Sequence, residues 1–282
     1  MSTDSSFPKP GINARQKLKA LGSPMKIQKS NLNKMLDWIY RWGCTTPALL
    51  SVMLGRQNRS HAKRLADQGW IRITSMKGCT TYCTLTEKGL NEAIRNSGVL
   101  LEYKEIDPGR VHLPTLHHNL VVQAETIAAL KTDRFYDYRT PRMFDYTSEN
   151  APKKVPDVVW LEEFIDASGE GLASLTLEVA VEIELTPKWN HHLDLAITNI
   201  VDDIQSQRFS ICIYISDSKA ILARYQDAFS PGKRVKIWKS CDGKKKHQDT
   251  GEVLTLPQWT PRFIEFRQVG STTAYMTNPN CK

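Results

Sequence analysis

Residues 175–188 (LTLEVAVEIELTPK) carry the most regular pattern of apolar and polar positions in the chain. Apolar side chains occupy the odd positions up to Leu185, and polar or small side chains occupy the even positions. A period of two over such a run is typical of a β-strand with one face in the core. The pattern therefore predicts a long strand that presents Glu178, Glu182 and Glu184 on its other face.

Three carboxylates on one face of a strand repel one another. A divalent cation would remove that repulsion, because Mg²⁺ and Mn²⁺ prefer oxygen ligands and usually take one or two carboxylates together with water and phosphate. The alternative interpretation is a half-exposed strand whose outer face is simply solvated.

The segment before this strand shows helical spacing first and strand spacing later. The predicted elements are helices over 31–40, 46–55 and 58–68, strands over 70–74 and 81–85, and a helix that opens near Leu85. Thr46 is a suitable N-cap, and Pro47 occupies the first helical position, where its missing amide hydrogen costs nothing. Three short helices followed by a hairpin form a winged helix-turn-helix.

The pattern after residue 98 predicts an α/β core. We expect a linker over 99–113, a helix over 114–131, one or two short strands with Tyr136, Tyr138 and Phe144, a strand over 155–161, a turn over 166–171, helices over 189–205 and 219–228, and strands over 209–216 and 234–239. The strand over 209–216 (FSICIYIS) is almost wholly apolar, as expected in the middle of a covered sheet. The predicted fold class is α+β, with a winged helix followed by a core around a mixed sheet.

Length and charge agree with two functional parts. A chain of 282 residues can bury two cores. Residues 1–110 hold 18 Lys and Arg against 8 Asp and Glu, whereas residues 111–282 hold 20 against 22. The predicted divisions are a flexible basic arm (1–30), the winged helix (31–98), the linker (99–113), the core domain (114–270) and a tail (271–282). The basic first part suggests a polyanionic partner.

The third predicted helix carries side chains that suit DNA. When a recognition helix enters the major groove, Arg, Lys, Asn, Ser and His contact phosphates and base edges. The candidate DNA-binding residues are Arg56, Asn58, Arg59, Ser60, His61, Lys63 and Arg64, with Lys77 on the wing. The alternative is a winged helix that docks a protein.

The spacing of the cysteines and the hydropathy of the chain indicate in which cellular compartment the protein acts. The six cysteines fit no zinc pattern and are interpreted as reduced thiols. No apolar run is long enough to span a bilayer, and the polar N-terminus lacks a signal-peptide core. We expect a cytoplasmic protein with no membrane partner.

Histidines on the 114–131 helix are weaker candidates. His117 and His118 are adjacent, so they point about 100° apart and cannot face one metal ion together. His117 is interpreted as a capping or core residue. Glu125, on the same helix, is a lesser candidate for an acidic site.

Pro156-Asp157, Glu182-Ile183-Glu184 and Lys188, in this order of elements, resemble the core of the PD-(D/E)xK nuclease superfamily. The resemblance implies that Asp157 and Glu182 bind Mg²⁺ or Mn²⁺ near a scissile phosphate. Glu184 stands where the superfamily usually has lysine, and it would act either as a base or as a further metal ligand. Either Glu184 itself or Lys188, four residues later, would fill the lysine role. Asp157, Glu182, Glu184 and Lys188 are thus the candidate catalytic residues.

With the winged helix in front, residues 31–225 resemble the replication-relaxation group and the MobC-type relaxases of mobilisable plasmids. That resemblance implies a metal-dependent endonuclease that nicks one strand at a plasmid transfer origin during conjugation. Its partners would be double-stranded DNA with a specific site, accessory relaxosome proteins and, in a homodimer, a second copy of the chain. The alternatives are a replication or transcription regulator with an inactive core, and a restriction-type nuclease that cuts both strands.

Overall fold

A computed structural model describes residues 24–56, 60–75, 80–145, 147–148, 151–166, 173–240 and 247–270. Several predictions concern residues outside these ranges: the arm up to residue 23, the DNA contacts Asn58, Arg59 and Lys77, most of the 166–171 turn, and the tail after residue 270.

The fold is α+β: helices with a small hairpin come first, and a central sheet with flanking helices follows. The first part consists of α1 (Pro24–Trp42), α2 (Pro47–Met53), α3 (Ser60–Asp67), the hairpin β1 (Ile71–Thr74) and β2 (Tyr82–Leu85), and α4 (Glu87–Asn96). The second part consists of α5 (Leu113–Leu130), β3 (Phe135–Arg139), β4 (Val158–Asp166), β5 (Ala173–Ile183), α6 (His191–Gln205), β6 (Ile211–Ser216), α7 (Lys219–Ala228), β7 (Arg234–Ser240), β8 (His247–Thr255), α8 (Thr260–Phe263) and β9 (Ile264–Gln268). Two short 3-10 helices span Pro108–Arg110 and Pro141–Met143.

The central sheet is mixed, as predicted. Its five strands lie in the order β3-β4-β5-β6-β9. β4 is antiparallel to β3 and β5, whereas β6 runs parallel to β5 and β9 runs parallel to β6. The strands β5, β6 and β9 therefore finish at one end of the sheet, where β4 begins, and we call this the carboxyl end. β7 and β8 form a separate hairpin.

Local chemistry explains the element boundaries in the first part. The Thr46 side chain accepts a hydrogen bond from Leu49 N at 3.2 Å and caps α2, as the sequence predicts. Thr86 caps α4 in the same way by accepting from Gly89 N. A Cβ at Gly89 would lie 2.0 Å from the Trp70 carbonyl oxygen, so this close approach of α4 to the hairpin requires glycine.

Helices cover both faces of the sheet. On one face, buried side chains of α1, α2, α4 and α5 form a continuous apolar cluster with Trp160 and Val181 of the sheet. On the other face, α6 and α7 pack over Val159, Ala180 and Tyr214. The first part of the chain thus shares a core with the sheet.

Residues 99–113, predicted to be a linker, are fastened to the first part. The Tyr103 hydroxyl donates to the Gly43 carbonyl at 2.7 Å and accepts from Leu85 N at 2.8 Å. The Tyr40 hydroxyl likewise bonds to both backbone polar groups of Leu101. These bonds hold the segment against α1 and the hairpin.

Several boundaries differ from the predictions. β4 begins at Val158, not at residue 155, and continues through Asp166, which was expected in a turn. α1 begins at Pro24, inside the predicted arm, and α6 begins at His191 because the residue before it, Asn190, has a positive φ of 48°. Phe144 follows a 3-10 helix and is not in a strand.

Two strands were not predicted at all. β8 has no regular alternation of apolar residues, and β9 holds three polar residues among five. β9 nevertheless pairs with β6, because the exposed edge of β6 offers backbone hydrogen-bonding groups that any sequence can satisfy.

The described cysteines Cys44, Cys83 and Cys212 are free and buried, in agreement with the expectation of reduced thiols. Within the described ranges, no helix has both the length and the apolar character needed to cross a membrane.

Candidate functional site

The sheet topology brings the predicted acidic residues together. Val158 pairs with Val181 in the antiparallel ladder of β4 and β5. Continuing this register by one residue sets Asp157 opposite Glu182, and Glu184 follows directly after β5. The two motifs thus lie at the paired ends of adjacent antiparallel strands, and the acidic residues gather at the carboxyl end of the sheet.

The acidic face is not exposed, in contrast to the prediction. Glu182 is 2% exposed and Glu184 is 4% exposed. The period of two correctly separated the faces of β5, but α6 and α7 cover the face that the sequence suggested was open. Glu178, earlier on the same face, is half-buried and pairs with Arg139.

A lysine neutralises each buried glutamate. Lys154 forms an ion pair with Glu182, and Lys188 forms an ion pair with Glu184. Burial raises the pKa of Glu182 to about 7, although the charge of Lys154 opposes that shift. Burial would lower the pKa of Lys154, yet the carboxylates of Glu182 and Asp157 outweigh it and raise that pKa.

Sequence reasoning missed Lys154 as a site residue. The only available signal was its position directly before Val155-Pro156-Asp157. Its partner Glu182 lies 28 residues later, so no local pattern connects the two.

Asp157 is held by backbone and by a histidine. Its Oδ2 atom accepts a hydrogen bond from Ile183 N at 2.8 Å. His118 Nε2 lies 3.3 Å from the same oxygen and 3.0 Å from the Ile183 carbonyl oxygen. Both neighbours of Nε2 are acceptors, so Nε2 carries the proton. His118 thereby connects α5 to the carboxyl end of the sheet.

The contact between His118 and Asp157 shifts both pKa values, one upwards and the other downwards. Burial opposes the charged form of both groups, but their hydrogen bond and mutual attraction prevail. They raise the pKa of His118 to about 9 and lower the pKa of Asp157 below its ordinary value. The pair is therefore an aspartate and a protonated histidine near neutral pH.

The chemistry of the donor set suits a magnesium ion. Carboxylate oxygens are the ligands that Mg²⁺ and Mn²⁺ prefer, and Mg²⁺ needs only one or two of them because water and phosphate complete its shell. Each lysine contacts one oxygen of its glutamate, and each carboxylate has a second oxygen. No group of three or more His, Cys, Asp and Glu in the described part of the chain is arranged to hold a metal ion.

The other predicted residues of the core lie elsewhere or in other roles. His117 is exposed, so it is not a core residue, and the residue at the N-cap of α5 is His112. Glu125 Oε1 accepts from Gly270 N at 3.1 Å, after β9. Tyr138 is buried in the sheet, whereas Tyr136 is 55% exposed.

A cavity of about 430 Å³ reaches Asp157 from the side of the helical first part. Its wall combines residues of α1, of α5 and of the Pro141–Met143 helix: Arg41, Trp42, His118, Asn119 and Arg142. The approach to Asp157 thus runs between the two parts of the chain.

The predicted recognition helix is basic and exposed on one side. Ser60, Lys63 and Arg64 are exposed on α3, and Arg56 is exposed before it. His61, predicted to contact DNA, is buried instead and is 7% exposed. Its ring contacts Arg56, and Arg64 reaches its Nδ1 at 2.8 Å. Burial and both arginines lower the pKa of His61, so the ring is neutral and accepts from one arginine at a time.

Comparison with models of protein families, with curated proteins and with solved structures found no match to this chain.

Proposed function

We propose that the protein is a metal-dependent, site-specific DNA endonuclease that nicks one strand, as a relaxase does at a plasmid transfer origin. In this proposal the helices and hairpin of residues 31–98 act as a winged helix that binds double-stranded DNA. The second part acts as a PD-(D/E)xK nuclease core. The observation that carries the proposal is the meeting of Asp157, Glu182 and Glu184 with Lys154 and Lys188 at the carboxyl end of the sheet.

In this proposal the acidic residues and the lysines of the site have different roles. Asp157 and Glu182 would hold Mg²⁺ or Mn²⁺, which when bound polarises the scissile phosphate and lowers the pKa of a water molecule. Lys154 and Lys188 supply positive charge against the phosphate oxygens, so Lys188 takes the lysine role that the motif assigns and Lys154 adds to it. Glu184 holds Lys188 in place.

Basic helix α3 supports DNA as the substrate. Its exposed Lys63 and Arg64, together with Arg56, can neutralise backbone phosphates, and the shared core fixes the helix relative to the acidic site. A fixed recognition helix would determine which phosphate enters the site.

The experiment uses supercoiled DNA that carries the native locus, incubated with the full chain in Mg²⁺, in Mn²⁺ or in EDTA. We expect metal-dependent open circles from the wild type and none from Asp157→Ala or Glu182→Gln. Glu178→Gln is the matched control, because Glu178 lies on the same face of β5 and pairs with Arg139 outside the site. That variant should nick normally.

The products also separate the alternatives. Linear DNA would indicate a nuclease that cuts both strands. Binding without any cut, in either metal, would indicate a DNA-binding regulator. One observation favours that second candidate: the three carboxylates already face two lysines and His118, which can balance their charge without a metal ion. Normal nicking by Glu182→Gln would refute the assignment of the site.

A further inference from the structure

Trp189 is an exposed aromatic side chain beside the acidic site. It directly follows Lys188, whose amine pairs with Glu184, and it is 57% exposed. A flat apolar group that covered this ring would gain favourable burial of apolar surface. Trp189 is thus a candidate contact for whatever enters the site.

Arg224 covers one side of the Trp189 ring. Its guanidinium carbon lies 3.6 Å from the ring centroid, a stacking distance. Arg224 lies on α7 next to the buried Tyr225, so the packing of α7 against the sheet holds the guanidinium in position. With one face occupied by Arg224, the exposure of Trp189 leaves its other face open.

Within the described ranges, no carboxylate neutralises the charge of Arg224. Arg41, Arg139 and Arg208 each pair with a carboxylate, whereas no acidic group in the described ranges pairs with Arg224. Its Nε atom is buried and has no hydrogen-bond partner among the described residues. An aromatic face beside an unpaired guanidinium matches a nucleotide, which offers a flat base and an anionic phosphate.

A second group of aromatic rings surrounds His191, two residues after Trp189 in the sequence. The His191 ring centroid lies 5.4 Å from that of Trp238 and 5.9 Å from that of His247. Trp238 Nε1 donates to Asp194 at 2.9 Å, which fixes the indole, and Lys236 lies beside it. A row of rings interleaved with cations is typical of surfaces that bind single strands by stacking successive bases.

We propose that Trp189 and Arg224 form a stacking site for an unpaired nucleotide of the DNA strand, adjacent to the acidic site. This inference rests on the proposed function, because it identifies the form of DNA that the same site takes. In a duplex, neighbouring bases already cover both faces of each base, so the strand must be locally open for a base to stack on Trp189. The site therefore selects melted DNA, which fits the cutting of one strand.

The test measures binding in EDTA, so it does not depend on cleavage. Fluorescence anisotropy of labelled oligo-dT, and of a labelled duplex that carries the native locus, is compared between the full-length wild type and its variants. We expect Trp189→Ala to weaken oligo-dT binding by about tenfold, since stacking on one aromatic side chain contributes on that order. The duplex, bound by α3, should bind as before.

Conservative and control variants keep the result interpretable. Trp189→Phe keeps a ring and should bind within about threefold of the wild type. Arg224→Gln should weaken oligo-dT binding and reduce its dependence on salt. Phe263→Ala is the matched control, because Phe263 is an exposed aromatic at the end of α8, directly before β9 and at the opposite end of the sheet, and its replacement should have no effect. Thermal unfolding confirms that each variant is folded.

Unchanged oligo-dT binding by Trp189→Ala would overturn the proposal, as would equal weakening of oligo-dT and duplex. Binding of oligo-U in preference to oligo-dT would overturn it in favour of RNA. A stacking effect without any nicking by the wild type would refute the proposed function alone. Nicking without a stacking effect would refute this inference alone.

Discussion

Lys154 pairs with Glu182, a carboxylate that is almost completely buried beside the end of β5. The sequence suggested that a metal ion relieves the repulsion among the acidic residues. The structure shows that Lys154, in the loop before β4, already relieves this repulsion at Glu182. An amine that neutralises a buried carboxylate without a bound ion also keeps that carboxylate in position for one.

Replacing Lys154 by Met should destabilise the fold. The substitution leaves Glu182 buried without its partner, and a charged group in that position costs about 1–3 kcal/mol after allowance for the 30% exposure of Lys154. The free energy of unfolding from urea titration at about pH 8 measures the effect.

Lys153→Met is the control for that variant. Lys153 pairs with Asp202, and both side chains are well exposed, so we expect a change below about 1 kcal/mol. Combining Lys154→Met with Glu182→Gln should restore part of the lost stability, because the buried charge is then absent. Additive losses in the double variant would show that the ion pair contributes no coupling energy.

Glu182 should also make stability fall as the pH rises. Its folded pKa of about 7 exceeds its ordinary value of 4.5, so the folded protein holds a proton that the unfolded chain has released. Its contribution is complete below pH 4.5 and is lost by about pH 7. We therefore expect Glu182→Gln to gain stability relative to the wild type across this window, as measured by urea unfolding at several pH values. A constant difference between the two proteins would contradict the raised pKa.

His118 should stabilise the fold through Asp157 in a different window. Its raised pKa makes its contribution complete below 6.5 and lost as the pH passes about 9, whereas the contribution of Asp157 is lost only below its ordinary value of 3.8. His118→Gln should cost about 1 kcal/mol near pH 6, allowing for solvent screening, and less near pH 9. His117→Gln, one position earlier and exposed, should cost almost nothing at either pH. Equal losses of stability for both variants would contradict a stabilising interaction between His118 and Asp157.

Strong local patterns predicted most elements of the fold. Thr46 and Pro47 marked the start of α2, and the apolar run before Ser216 marked β6. β8 and β9 could not be predicted, because their residues pair through backbone groups and carry no alternation of apolar side chains.

The sequence predicted the acidic residues of the site and Lys188, but it did not predict Lys154 or the contact of His118 with Asp157. Asp157, Glu182 and Glu184 stood out because they belong to a regular pattern and a short motif. Lys154 and His118 are distant in sequence from the carboxylates that they contact. The sequence also did not indicate that Glu182 is buried, because its burial depends on where α6 packs after the chain folds.

Tyr103 should be essential to the attachment of residues 99–113. Tyr103→Phe removes the hydroxyl that bridges Gly43 and Leu85 and leaves two buried backbone groups unsatisfied. We expect a loss of about 1–3 kcal/mol in the free energy of unfolding. Tyr136→Phe is the comparison, because Tyr136 is exposed and water can replace its hydrogen bond to Thr176. Similar losses of stability in both variants would show that the buried hydrogen bonds of Tyr103 contribute no more than an exposed one.

Lys63 should contribute to DNA affinity through phosphate contact. It is exposed on α3, whereas His61 on the same helix is buried, so the two residues predict different outcomes. Lys63→Ala should weaken binding to a duplex and reduce the slope of log affinity against log salt by about one unit. His61→Gln keeps a polar side chain in a buried position and should leave the slope unchanged. Lys104→Ala, which removes an exposed lysine paired with Glu102, should leave both affinity and slope unchanged. An unchanged slope for Lys63→Ala would place α3 outside the DNA interface.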